Sequence, residues 1–394
     1  MAGAAPDTPA GARLSWLDGM RGISILWIVF FHFFGTYASG RYPSPLEPAY
    51  FSSFVSQCAP SSALSTLGCI GQGFFIAVSR VGFHAVAVFL VLSGFGLAYS
   101  LAKTGDPEGG WAGWYWRRLL RLYPMYWVAH LIYLISPFVA RLEPVDYRFV
   151  LSLLGDRVYP VEAIFYYINP AWWYFGLLVE LYLVFPILFR LLQKLGPIWF
   201  LVLCGLITMA SRHLLLSVIP VHGYYVQGAF FGSRLWEFAA GMVLGLLYHQ
   251  RPIWVEGRLF AGSGLFAGIV IYTLGLYSYT TLLSYTLTDA LTGTGLFIIL
   301  AHIARWSSRL PRPGSMLAYV GVYSYGLYLL HQPYVIYFGE RVRELGLPTF
   351  VVFACAMIAL LTLGAILLER CVNRLTSRVL DRGKVDAAPA PRTA

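Results

Sequence analysis

Charge is what this sequence has least of. Charged residues fill 12% of its 394 positions, about half the share found in a soluble globular domain, and 58% of the chain is hydrophobic. A soluble domain is therefore excluded. Ten-residue segments of alternating polarity are also lacking, which excludes an outer-membrane-type barrel. The five cysteines show no metal-ligand spacing, so no metal is expected. There is no G-x-S-x-G elbow to mark a serine nucleophile. Nor is there a detectable internal repeat of the kind that paired transporter halves carry. The net charge of +10 does not point to a nucleic-acid partner. Its cations sit at the ends of apolar runs, where orientation signals belong.

What is present is a succession of long apolar runs. The expected fold is all-α, a polytopic membrane protein with about ten transmembrane helices of about 20 residues each. The expected spans are 22–38, 81–102, 122–140, 172–192, 198–218, 228–248, 259–277, 282–303, 316–338 and 350–368. The first is read as retained rather than cleaved, because it holds a histidine, follows Asp18 and leads into further spans. Residues 1–13 read as a disordered lead, 14–370 as one membrane-embedded domain and 371–394 as a basic tail. On this topology 18 of the 28 lysines and arginines fall on one side and seven on the other, which puts both termini in the cytoplasm. The opposite side carries loops 40–80 and 141–171, and these are expected to select an acceptor. Cys58 and Cys69 share the first loop and are able to form a disulfide if it faces an oxidising space.

The stretch Leu17-Asp18-Gly19-Met20-Arg21-Gly22 opens the first span, and His32 lies within it. Arg21 and His32 are eleven residues apart, about three helical turns, so they share one face some ~16 Å apart along the axis. An ionisable group inside a bilayer is a functional candidate by default, the alternative being a histidine that donates to a backbone carbonyl. Arg117, Arg118 and Arg121 cluster before the third span. Together with Arg21 they offer four guanidiniums able to grip phosphates in bidentate fashion, or they are only positive-inside anchors. Ser93-Gly94 in the second span reads as close packing. Arg234 and Glu237 are three apart and able to pair, while Ser324, Tyr328 and His331 form one polar stripe that faces a cavity or another helix. His84 and His130 read as structural.

Taken together these stretches resemble the acyltransferase-3 family of integral membrane acyltransferases. The resemblance rests on the Arg21-to-His32 spacing, Phe89–Phe95, Arg117-Arg118-Leu-Leu-Arg121-Leu-Tyr-Pro124, Arg234–Gly241 and Ser324–Pro333. It implies transfer of an acyl group, usually acetyl, from a cytosolic acyl-coenzyme A to a hydroxyl on a glycan or other extracytoplasmic molecule, at a bacterial-type cytoplasmic membrane. No bound cofactor is implied, acyl-CoA being a co-substrate. His32 is then general base or covalent acyl carrier, Arg21 and the arginine cluster hold the donor, and Ser93, Arg234, Glu237, Ser324, Tyr328 and His331 line the substrate cavity. The family's paired acids align with Leu178 and Val179, with Glu180 one position later, which puts a catalytic role for Glu180 in doubt. No fused extracytoplasmic domain is expected after the last span. The competing reading is a transporter or flippase whose midplane ionisable groups bind cargo.

Overall fold

The computed structural model describes residues 14–38, 46, 58, 63–107, 109–141, 143–160, 163–219, 228, 230–281 and 285–386. Among them there are helices and no strand. The elements are α1 (Ser15–Ala38), α2 (Ala63–Arg80), α3 (Ala85–Thr104), α4 (Gly110–Ile135), α5 (Tyr147–Leu154), α6 (Trp173–His213), α7 (Leu235–Gln250), α8 (Pro252–Leu259), α9 (Gly262–Tyr277), α10 (Thr288–Ser307), α11 (Pro311–Val322), α12 (Ser324–Arg341) and α13 (Leu347–Asp386). Four stretches are long and apolar enough to cross a membrane: Ser15–Ala38, Thr66–Thr104, Pro170–Val218 and Leu347–Ser377. Pro252–Leu259 with Gly262–Thr280 makes a fifth, bent by 63°.

Several boundaries differ from the sequence expectation. Most of loop 40–80 lies outside the described residues up to position 62, but Ala63–Arg80 is helical rather than loop. Its run of Ser, Thr, Gln and three glycines dilutes the hydropathy that marks a span, while Leu67, Ile70 and Phe74 still expose an apolar face. Cys58 and Cys69 form a disulfide. The arginine cluster sits inside α4, not before it, because the helix begins at Gly110. The expected ninth span is two helices, broken at Tyr323, whose φ/ψ of −105°/19° is not helical. The expected fourth and fifth spans meet at Gly196, whose positive φ of 75° breaks α6 just before Pro197.

Loop 141–171 presents exposed side chains such as Tyr147, Leu154 and Tyr159 and is anchored inward by others. Ile164, Phe165 and Tyr167 are buried. Asp146 caps α5 through Arg148 N–H, and hydrogen bonds from Arg148 hold its carboxyl below the ordinary range. Arg157 is buried and donates to the Ile164 and Tyr167 carbonyls, the Tyr126 hydroxyl and the Ser152 hydroxyl. Asn169 caps the single turn Pro170–Trp172 that leads into α6, as the Asn-Pro pair predicts.

At two helix crossings a pair of glycines lets the backbones approach closely, one of them on α1. At the α1–α11 crossing a Cβ on Gly22 would collide with the Leu317 carbonyl, and one on Gly321 with the Asp18 carbonyl. At the α3–α7 crossing Gly94 faces the Phe238 carbonyl and Gly241 the Val91 carbonyl. Each crossing is reciprocal, backbone against backbone, the approach that small residues permit in lipid. Gly96, two residues on, has open space where a Cβ would stand. Gly94→Ala is therefore expected to lower the melting temperature of the purified protein, and Gly96→Ala to leave it within a degree or two. Equal melting of both variants would refute the crossing.

Candidate active site

The turn-like spacing of Arg21 and His32 along α1 places both on one wall of a cavity of about 550 Å³. At one end the lining includes Arg21, Ser100, Arg118, Arg121 and Asn373, and at the other His32, Trp173, Tyr174 and His331. Apolar side chains such as Ile28, Phe89 and Leu178 line the length between. The site thus has a cationic mouth, an apolar barrel and an imidazole end.

At the mouth, Arg21 is held by an ion pair with Asp18, one turn earlier, at 2.7 Å. Asp18 is itself buried under α11. The Leu-Asp-Gly-Met-Arg-Gly stretch therefore supplies an arginine, the carboxylate that aims it and the glycine that lets α11 approach. Arg118 and Arg121 lie one turn apart on α4 and both face the cavity, with Arg118 stacked over Trp114 at 5.2 Å. Arg117 points to the exposed side of α4 and does not line the cavity.

At the imidazole end, His32 and His331 lie with ring centroids 5.2 Å apart. His331 Nδ1 faces the carbonyls of Tyr328 (2.8 Å) and Leu327 (3.2 Å), so it carries the proton. Nε2 is thereby an acceptor, buried, and without a hydrogen-bond partner among the described residues. Among the same residues no hydrogen bond holds the His32 ring, which is half-buried against the cavity. Tyr328 contributes its ring to the lining, but its hydroxyl is engaged: it donates to the Ala171 carbonyl at 2.5 Å and accepts from Phe175 N–H at 3.1 Å. Ser93 and Ser324 line the cavity as well.

Three more of the expected site residues, besides Arg117, stand elsewhere. Glu180 faces away, because Tyr174, Leu178 and Tyr182 at i, i+4 and i+8 take the cavity side of α6; its carboxylate accepts from Phe231 N–H at 2.8 Å. Arg234 and Glu237 do not line the cavity. Arg234 contacts Glu237 and Asp289, each at 2.9 Å, the first at an angle too bent for a hydrogen bond. Arg212 also pairs with Asp289 and donates to the Tyr285 carbonyl at 3.0 Å. Two cations and two anions balance in this buried knot, which ties α6, α7 and α10 together. His84 is bonded to the Tyr272 and Tyr279 hydroxyls and His130 lies between the Tyr126 carbonyl and Ser152, so both rings have partners on each nitrogen.

Trp173, Tyr174, Tyr182, Glu369 and Asn373 were not singled out from sequence. Glu369 accepts from Gly326 N–H at 2.8 Å and so caps the first turn of α12 beside the cavity. An acid at the end of an otherwise apolar run was its one available signal.

Fold and site together define a multi-pass integral membrane protein with a buried cavity that joins a cluster of guanidiniums to a pair of imidazoles. The chain belongs to the acyltransferase-3 family, whose acyltransferase-domain model matches residues 14–370. It is similar to the acyltransferase MdmB of Streptomyces mycarofaciens, 25% identical over 373 residues that cover 84% of this chain and 93% of that protein. No solved structure is a significant match.

Proposed function

We propose that this chain is an O-acyltransferase that moves an acyl group, acetyl in the first instance, from cytosolic acyl-coenzyme A to a hydroxyl of a glycan or other extracytoplasmic acceptor. In this reading ten spans cross a bacterial-type cytoplasmic membrane with both termini in the cytoplasm, so the arginine mouth faces the cytosol. The carrying observation is the one cavity that connects Arg21, Arg118 and Arg121 to His32 and His331. Arg21, Arg118 and Arg121 hold the phosphates of coenzyme A, since guanidinium forks match phosphate oxygens. The pantetheine arm follows the apolar barrel and brings the thioester to the imidazole end.

There the acceptor hydroxyl attacks the thioester carbonyl carbon, and a ring nitrogen of His32 takes its proton. The tetrahedral intermediate collapses with loss of the coenzyme A thiolate, which recovers that proton from the imidazolium. Nε2 of His331, an acceptor with a fixed tautomer, holds a donor group of the bound substrate. The acceptor's identity is left to a screen of hydroxyl compounds.

Thiol release from acetyl-CoA by the purified protein tests the donor. Arg118→Gln and Arg121→Gln are each expected to raise KM for acetyl-CoA about tenfold or more, the size of a lost charge-assisted hydrogen bond, with kcat changed far less. A fall in kcat at unchanged KM would contradict phosphate binding at this mouth. Arg234→Gln offers a contrast: it unbalances the knot and is expected to reduce folded yield rather than raise KM. Failure to consume or bind any acyl-CoA, with substrate moving across vesicles, would favour the transporter reading.

A further inference from the structure

A second concavity, of about 650 Å³, lies away from the acyl-transfer cavity, between α8, the α8–α9 corner and the C-terminal end of α10. Its polar groups are Arg305, Arg309, His302 and Glu256. Arg305 stacks over Phe260 at 4.1 Å and lies 3.6 Å from Glu256, whose other oxygen accepts from the Tyr248 hydroxyl at 2.6 Å. His302 is occupied with the backbone, Nδ1 facing the Ile298 carbonyl at 3.0 Å and Nε2 the Ala261 carbonyl at 3.4 Å. Arg309 makes no side-chain hydrogen bond or ion pair among the described residues. One acid thus faces two arginines, and one of these has no counter-ion.

The rim of this groove is apolar and aromatic. Ile253 is 80% exposed, Trp254 51% and Trp306 61%. Arg258 lies over the Trp254 ring at 5.7 Å, so an aromatic and a cation share the outer face of α8. α8 leaves α9 at 63°, the disposition of a short helix lying in the membrane surface beside one that enters it. From the groove, α9 continues with Phe266, Ile269, Val270 and Leu274 exposed along its length. A cationic cup therefore opens at the end of an uncovered hydrocarbon-like stripe. A free phosphate would use only the cup, whereas a molecule with a phosphate head and two acyl chains uses both.

We propose that this groove holds an anionic phospholipid, its phosphate between Arg305 and Arg309 and its acyl chains along the exposed face of α9. Each arginine near a bilayer surface strengthens anionic-lipid binding roughly fivefold, so two that share one phosphate are expected to give at least about a tenfold preference. The glycerol-type head group is preferred to a zwitterionic one because Arg309 has no anion of its own among the described residues, and a choline cation would meet Arg305. The inference needs only that the chain is membrane-embedded; it is independent of the donor and acceptor assigned above.

The test is native mass spectrometry of the full chain, released from nanodiscs that hold equal parts phosphatidylglycerol and phosphatidylcholine. Wild type is expected to retain phosphatidylglycerol preferentially. The double variant Arg305→Gln/Arg309→Gln is expected to lose that preference by roughly tenfold. The double variant Arg341→Gln/Arg343→Gln, on another face, is expected to keep it. Equal retention by wild type and the groove variant, or equal loss in both double variants, overturns the proposal. So does displacement of the lipid by inorganic phosphate at millimolar concentration, which would make the cup a phosphate site. If the groove variant fails to fold, salt decides on wild type: a preference unchanged at about 1 M salt, where the screening length is about 3 Å, also overturns it.

Discussion

Replacing His32 by alanine is expected to abolish acyl transfer, with a loss of at least ~10²–10⁴-fold, the usual contribution of a positioned general base. Thiol release from acetyl-CoA and acylation of an acceptor are expected to fall together. Folded yield in the membrane and melting temperature are expected to hold. The physical reason is that the His32 ring stands at the cavity wall without a hydrogen bond to the described residues, so its removal opens space and breaks no tie. His331→Ala differs in kind, since it removes a ring whose Nδ1 is bonded to the Tyr328 carbonyl. It is expected to reduce activity and stability together. A His32→Ala protein that retains more than about a tenth of wild-type turnover would remove the general-base assignment.

Gly321→Val is expected to be the most damaging single substitution at a helix crossing, and Gly321 also lines the cavity. Its Cβ would enter the space of the Asp18 carbonyl, and the neighbouring Gly22 N–H leaves no room to turn away. Overpacking a core usually costs about 1–3 kcal/mol when side chains are able to shift. Here the obstructing atoms are backbone on both helices, so α1 and α11 must separate. The consequence reaches the chemistry, because Asp18 pairs with Arg21 and both ride on that crossing. Size-exclusion profiles and thermal melts are expected to show little monodisperse protein. Gly364→Val, in α13 where a Cβ meets nothing within 4 Å, serves as the comparison. Similar behaviour of the two variants would mean that the α1–α11 contact does not hold the site.

Much of the site was legible because periodicity carries it. Arg21 and His32 share a face at any register of one helix, and the same holds for Ser324, Tyr328 and His331. Those residues do meet around one cavity. Arg234 and Glu237 were legible only as a pair. Whether the pair faced a cavity depended on Arg212 and Asp289, which come from other helices. Glu180 illustrates the same limit, since a two-residue offset from Leu178 and Tyr182 turns it to the opposite face of α6.

The sequence by itself determined the all-helical membrane class, the grouping of arginines and of histidines at separate positions along the spans, and an interruption between residues 192 and 198. Each of these follows from local composition or from a fixed rise and rotation per residue. Tertiary structure decided which side chains face one another. It brought His331 within 5.2 Å of His32, divided Ser324–Arg341 from the helix before it, and anchored the Ile164–Tyr167 part of loop 141–171 on Arg157. Those outcomes depend on how closely helices approach, and at Gly22–Gly321 and Gly94–Gly241 that approach is set by two backbones at once. No property of a single helix contains that information.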